Sequence, residues 1–185
     1  MATTTTAGIQ DVLDFWFNDM EPERWFVGNA QIDDIIRTRF SELHRMACAC
    51  ELAHWRDTLQ GRLAEIIVID QFSRNLFRNS AQAFAHDALA LALAQEAIRD
   101  PAHLTMPVPE RAFLYIPFMH AESLAIHETA MALHSLPRME ARLPWEIKHR
   151  DILQRFGRYP HRNAVLGRTS SAEEIAFLAT PGSSF

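Results

Sequence analysis

Apolar side chains recur at steps of three and four residues along almost the whole of this 185-residue chain. The pattern is clear over 32–46, where Ile32, Ile36, Phe40 and Leu43 fall on one face of a helix. Such spacing is the signature of an amphipathic α-helix, and no segment offers a partner for a β-strand. The spacing therefore predicts an all-α fold.

The chain is expected to form one domain, since domains typically span roughly 100–200 residues and 48% of these residues are hydrophobic. About six to eight helices would pack as antiparallel pairs over residues 8–185, after a disordered, threonine-rich tail over residues 1–7. An interior proline removes a helical hydrogen bond, so the helical stretch 110–135 is predicted to kink at Pro117.

Charge and hydropathy exclude two classes of partner. The net charge is −5 and the pI is near 6.0, whereas nucleic-acid-binding domains are usually basic. The chain has no run of roughly 20 apolar residues, so no membrane-spanning helix is expected. The first eight residues contain neither a basic residue nor an apolar segment, which argues against a signal peptide. We therefore expect a cytoplasmic protein that binds neither nucleic acid nor membranes.

The segment 61–77 is predicted to be a central, buried helix, because apolar residues point to all of its sides. These residues are Leu63, Ala64, Ile66, Ile67, Val68 and Ile69. Asp70, Arg74 and Arg78 follow one another at intervals of four residues and therefore share a face, with Asn75 beside them. Buried charges are almost always paired. The cluster is thus either an Asp70–Arg74 ion pair that ties helices together or a pocket in which the arginines meet an anionic ligand.

A second group of polar residues surrounds Pro117. Tyr115, Met119 and Glu122 share one helix face, and His120 is the candidate there for proton transfer, because the histidine pKa lies near neutrality. The alternative is a histidine with a structural role.

A third group lies near the C-terminal end. His149 is followed by a loop that carries Arg158, His161, Arg162 and Asn163. In an acidic protein these arginines form a local positive patch, and guanidinium groups suit carboxylates and phosphates. The alternative is solvated loop charge.

Metal binding and two common catalytic motifs are not expected. Glu-x-x-His occurs at 51–54 and 146–149, and with Glu65 and Glu122 these could compose a di-iron site. However, the first motif lies in a short turn, and so short a match is common by chance. The chain has no Gly-x-Ser-x-Gly motif and only six glycines, so neither a nucleophile elbow nor a glycine-rich phosphate loop is expected. No cofactor can be assigned.

The sequence resembles the bacterial family catalogued as domain of unknown function 924. The motifs that carry the resemblance are Asp-Gln-Phe-Ser-Arg-Asn at 70–75, Tyr-Ile-Pro-Phe-Met-His-Ala-Glu at 115–122, Pro-His-Arg-Asn at 160–163 and Pro-Gly-Ser-Ser-Phe at 181–185. Ser73, Glu65 and His54 depart from the family pattern, and the last two departures weaken the metal hypothesis further because both residues were proposed ligands. The resemblance implies an all-α fold similar to tetratricopeptide-like helical arrays, and it implies no activity.

Two functions are compatible with these residues. The first is a binding module for an anionic small molecule or a peptide carboxylate, or for a protein partner. Its predicted ligand-binding residues are Arg74, Asn75, Arg78, Tyr115, Arg158, His161, Arg162 and Asn163. The second is a hydrolase-type enzyme that uses a histidine–carboxylate pair. Its candidate catalytic residues are Asp70, His120, Glu122 and His149. A purely structural charged core remains the alternative to both.

Overall fold

The computed structural model describes residues 7–183, and within that range the chain forms eight helices and no strand. The helices are α1 (Ile9–Asp14), α2 (Ala30–Cys48), α3 (59–76), α4 (Asp87–Ala97), α5 (Val108–His120), α6 (Leu124–His134), α7 (Leu143–Phe156) and α8 (Ala172–Leu178). The predicted all-α fold is confirmed. The tail predicted over 1–7 lies outside the described residues except for Ala7, which packs against the core.

Helix α3 is the central element, as its composition predicted. It runs continuously through an α-helical segment (Leu59–Ile66), a π-helical turn (Ile67–Phe72) and a final α-helical turn (Ser73–Leu76). Every residue of the π-helical turn is buried. That turn contains Asp70 and Gln71, so a charged residue enters the core where the helix widens. Such π-turns are frequent at functional sites.

The break between α5 and α6 lies after the position predicted from Pro117. Helix α5 continues through Pro117 to His120, and the backbone becomes extended at Ala121 (φ −71°, ψ 131°). Groups from other segments bind the carbonyl oxygens at this break. The Tyr159 hydroxyl donates to the Met119 carbonyl oxygen at 2.6 Å, and His127 Nε2 lies 3.1 Å from that of Ala121. These contacts stabilise the helix end at the position observed.

Successive helices from α4 to α7 pack on their neighbours, and α3 contacts α4 and α5. This arrangement brings the C-terminal half of α3, the end of α5, α7 and the loop after α7 around one interior space. None of the helices in residues 7–183 is long and apolar enough to span a membrane.

Candidate functional site

A cavity of about 880 Å³ lies between α3, α5, α7 and the loop after α7. Pockets for small ligands usually measure about 300–1,000 Å³, with apolar walls and a few convergent polar groups. The volume falls in that range, and the described walls combine apolar side chains with an unusually large share of charged, histidine and amide groups. The cationic lining residues are Arg74, Arg78, Arg142, Lys148 and Arg162, and the histidines are His120, His134, His149 and His161. The aromatic lining residues are Trp25, Phe26, Phe84, Trp145 and Tyr159.

The cavity surface is basic. Five of its described lining residues are arginine or lysine, and none of them is aspartate or glutamate. Three of the arginines bind carboxylates that do not themselves line the cavity, as described below. The cationic groups therefore face the cavity, whereas their counterions lie outside its lining.

Arg74 and Arg162 share the carboxylate of Asp87 at the start of α4. Nη1 and Nη2 of Arg74 each lie 3.1 Å from an Asp87 oxygen, and Nη1 of Arg162 lies 3.3 Å from the same carboxylate. Nη1 of Arg74 also lies 2.6 Å from the main-chain carbonyl oxygen of Asp70 and 3.4 Å from its carboxylate. The Asp70–Arg74 contact predicted from their spacing is thus present. It is part of a larger network of charged side chains that includes Asp87 of α4 and Arg162 of the loop after α7.

Arg78 and Asn75 are held by Asp33 of α2. Nε and Nη2 of Arg78 lie 2.6 and 2.8 Å from the Asp33 oxygens, and the Asn75 side-chain amide donates to the same carboxylate at 2.8 Å. This contact fixes the end of α3 on α2 and leaves both side chains at the cavity wall.

Asp70 and His120 form a histidine–carboxylate pair at the cavity wall. His120 Nδ1 lies 2.9 Å from Oδ1 of Asp70, and the Gln71 side-chain amide donates to Oδ2 at 2.6 Å. Asp70 is fully buried, whereas the His120 side chain is 16% exposed and lines the cavity. Because Nδ1 is bound to Asp70, Nε2 is the ring nitrogen that remains for the cavity.

The electrostatic surroundings keep this pair as carboxylate and neutral imidazole. Burial tends to raise the pKa of Asp70, but the charge of Arg74 and the contact with His120 outweigh it, so the pKa lies well below its usual range. Burial and the Arg74 charge lower the pKa of His120 below its ordinary value, despite the opposing effect of Asp70. At neutral pH, Nδ1 of His120 therefore donates to an ionised Asp70, and Nε2 carries the lone pair.

The other candidate histidines of the cavity are also neutral at pH 7. Burial lowers the pKa of His149 to about 3 and that of His161 to about 4. Nδ1 of His149 lies 2.7 Å from the carbonyl oxygen of Trp145, one helical turn earlier. A separate pair, His127 and Glu146, is fully buried at 2.5 Å and does not line the cavity.

Besides the buried Asp70, four candidate residues lie outside the cavity lining because each is bound by another segment. The Tyr115 hydroxyl lies 2.6 Å from Nδ1 of His103. Arg158 binds both carboxylate oxygens of Glu174, at 2.7 and 2.8 Å. These two side chains therefore hold helix ends and loops together.

Asn163 and Glu122 shape the loop after α7. The Asn163 amide group donates to Ser170 at 3.0 Å and accepts from Arg168 at 2.9 Å. Glu122 accepts two hydrogen bonds from Arg168, at 2.6 and 2.9 Å, and one from the Tyr159 main-chain N–H at 2.7 Å. Glu122 thus has a structural role: its hydrogen bond to the main chain positions Tyr159, and Tyr159 lines the cavity.

Two cavity residues, and one carboxylate that holds the cavity wall in place, were missed by sequence reasoning. Arg142 and Trp145 line the cavity together with His149, and their spacing of three and four residues places them on one helix face, a signal that the sequence offered. Asp33 likewise interrupts the apolar face formed by Ile32 and Ile36. The helical spacing that selected Arg74 and Arg78 as candidates would also have selected these three residues.

In the part of the chain that the structure describes, no three His, Cys, Asp or Glu side chains are placed to hold a metal ion. In the second Glu-x-x-His motif the two side chains have different partners. Glu146 binds His127, whereas His149 binds the Trp145 carbonyl oxygen.

The fold and this site define an all-helical protein with a basic, histidine-rich internal cavity. The chain belongs to the family described as bacterial protein of unknown function, DUF924, which it matches over residues 12–182. It is also similar to the solved structure of the protein of unknown function ATU0120 from Agrobacterium tumefaciens, with 38% sequence identity and a TM-score of 0.87. That match covers 92% of this chain and 96% of the other. Comparison with curated proteins gave no match.

Proposed function

We propose that the chain binds a small molecule with a negatively charged group and a flat, apolar remainder, and that it does so in the basic cavity. The observation that carries this proposal is the composition of the described cavity wall, which presents five cationic side chains and no carboxylate. Cationic groups that converge on a space of ligand size attract an anion, because the low dielectric of the interior strengthens the attraction.

Two arginines offer hydrogen-bond donors for the anion. Arg162 lines the cavity, and its hydrogen bond to Asp87 uses Nη1 and is long, at 3.3 Å. Arg142 is partly buried, and no ion pair joins it to any carboxylate in residues 7–183. A guanidinium group suits the two oxygens of a carboxylate or phosphate. An anion in the cavity would lie beside both guanidinium groups.

The aromatic side chains of the cavity support the apolar half of the ligand. Trp145 is 52% exposed and Phe26 is 57% exposed, although both are large and apolar. Aromatic rings bind flat apolar groups by stacking or by edge-to-face contact. A peptide that ends in an aromatic residue with its carboxylate would have the same chemistry as a small aromatic acid.

Thermal unfolding at low salt tests this proposal with pairs of probes that differ in charge. Phenyl phosphate, benzoate and N-acetylphenylalanine carry an anion, whereas phenol, benzamide and N-acetylphenylalaninamide are their neutral counterparts. A ligand at one hundred times its dissociation constant adds about 2.7 kcal/mol of stability, or roughly 5–10 °C in the midpoint for a chain of this size. We expect a shift of that order with at least one anion and no shift with its neutral partner.

Arg142→Ala should reduce the shift without lowering the midpoint of the free protein, because this side chain forms none of the described ion pairs. Arg37→Ala, on the exposed face of α2, is the matched control and should behave as the wild type. Equal shifts with charged and neutral probes, or no shift with any of them, would contradict the proposed function.

A further inference from the structure

We propose that Asp70 and His120 act as a general base that hydrolyses an ester of the anion held in the cavity. This inference rests on the proposed binding function, because the cationic wall is what would hold the ester against His120. It adds a reaction that binding alone does not require. His120 would be the catalytic residue, and Asp70 would position it.

The geometry fixes the ring of His120 in the orientation that a general base needs. Asp70 is fully buried and is bound on one oxygen by His120 and on the other by the Gln71 amide. Its own main-chain carbonyl oxygen is bound by Arg74. A carboxylate so constrained holds Nδ1–H of the imidazole toward itself. Nε2 then presents its lone pair to the cavity, where a proton from water or substrate can be accepted.

The charged and titratable groups around His120 come from several elements. Asp70 and Arg74 of α3 and Asp87 of α4 act on it directly, and His149 and His161 interact with it from α7 and the following loop. Arg74 opposes protonation of the ring, whereas the two carboxylates favour it. The ring is therefore a neutral base at pH 7, and it is poised to accept one proton because an ionised carboxylate lies behind it.

Water is the nucleophile that this cavity can supply. Its described lining contains no serine, threonine or cysteine. In the proposed reaction, His120 Nε2 removes a proton from a water molecule as the water oxygen bonds to the carbonyl carbon of the ester. The bond between that carbon and the alcohol oxygen then breaks, and the alcohol takes the proton back from Nε2. One ester and one water give one carboxylic acid and one alcohol, and His120 is regenerated.

The guanidinium group of Arg162, which lines the cavity and is held by Asp87 through Nη1, is the donor that we assign to the oxyanion forming on the carbonyl oxygen. A donor already in place needs no reorganisation when the negative charge develops.

The test uses 4-acetoxybenzoate, an ester that carries a benzoate anion and releases 4-hydroxybenzoate and acetate. We expect the wild type to hydrolyse it with saturation, and to hydrolyse the neutral analogue 4-acetoxybenzamide with a lower kcat/KM. His120→Gln should lower kcat at least about 100-fold, the usual contribution of general-base catalysis, while the dissociation constant of benzoate changes less than about twofold. His54→Gln, an exposed histidine outside the cavity, should retain wild-type kcat.

The pH profile separates catalysis from a structural role. A base works only when unprotonated, so kcat/KM should be constant above pH 7 and should fall as the pH drops through the lowered pKa of His120. Asp70→Asn removes a charge that raises this pKa, so the acid limb should move to lower pH as kcat falls. An unchanged midpoint would show that the group titrating in the profile is not the imidazole paired with Asp70.

Two results overturn the inference and leave the binding function intact. One is benzoate binding by the wild type without hydrolysis of 4-acetoxybenzoate. The other is hydrolysis that His120→Gln leaves unchanged. If the wild type does not bind benzoate, the result contradicts the proposed binding of this anion. It then also contradicts the hydrolysis that depends on that binding.

Discussion

Replacing Arg74 with alanine is expected to destabilise the protein by about 3–5 kcal/mol, the usual effect of removing one partner from a buried ion pair. Asp70 is fully buried and Asp87 mostly so, and Arg74 is the arginine that contacts both carboxylates. Without it, Asp70 would keep only His120 and the Gln71 amide, and a buried charge without its counterion is strongly unfavourable. Urea unfolding followed by circular dichroism measures the loss.

Arg37→Ala serves as the reference for that measurement. Arg37 pairs with Asp34 on the surface of α2, where both side chains are more than half exposed. Surface pairs of this kind contribute little to stability because water screens them. If Arg74→Ala were as stable as Arg37→Ala, the cluster around Asp70 would not be the buried ion network described above. The prediction also means that loss of binding in Arg74→Ala would not by itself identify a ligand contact.

Replacing Gly61 with alanine is expected to have an effect at least as large. A Cβ atom at this position would lie 1.9 Å from the main-chain carbonyl oxygen of Trp55 and 2.7 Å from its carbonyl carbon. Real Cβ atoms do not approach backbone so closely, so the turn Ala53–Asp57 would have to separate from α3. Because α3 is the central helix, we expect a loss of more than about 4 kcal/mol, in the range reserved for severe backbone conflicts, or failure to fold.

Gly157→Ala is the matched comparison for Gly61→Ala. Gly157 ends α7 in the left-handed region at φ +70°, and an added Cβ would meet no atom within 4 Å. Its substitution therefore strains only the local backbone, at about 1 kcal/mol. Far-UV circular dichroism and urea unfolding of the two variants give the comparison. Equal stability of both would show that α3 and the turn before it are not packed as closely as described.

The sequence predicted those features of the fold and site that depend on residues close together along the chain. The burial of α3 follows from the apolar residues that point to all of its sides between 63 and 69, and the Asp70–Arg74 contact follows from their spacing of four. Both depend on helical geometry alone, which a local pattern contains. The cavity as a whole was predicted only as three separate groups of residues, because nothing in a local pattern places α3, α5 and α7 side by side.

The partners of the arginines were not predictable for the same reason. Arg78 binds Asp33, 45 residues earlier, and Arg158 binds Glu174, 16 residues later. Residue type alone made both arginines candidates for anion binding, but the carboxylate that each meets is set by the packing of distant helices. Arg162 was predicted to lie on a loop as a ligand-binding residue, with solvated charge as the alternative. It is buried, because that loop is bound to α4 through Asp87 and to α5 through the Met119 carbonyl oxygen.

The central claim is that the basic cavity holds an anion, and a crystal structure with 4-bromophenyl phosphate tests it most directly. The anomalous signal of bromine locates the probe independently of the protein phases. We predict a bromine peak among the aromatic side chains of the cavity, with phosphate oxygens within hydrogen-bond distance of Arg142 or Arg162. A probe found only outside the cavity, or an unoccupied cavity at saturating probe concentration, would contradict the account.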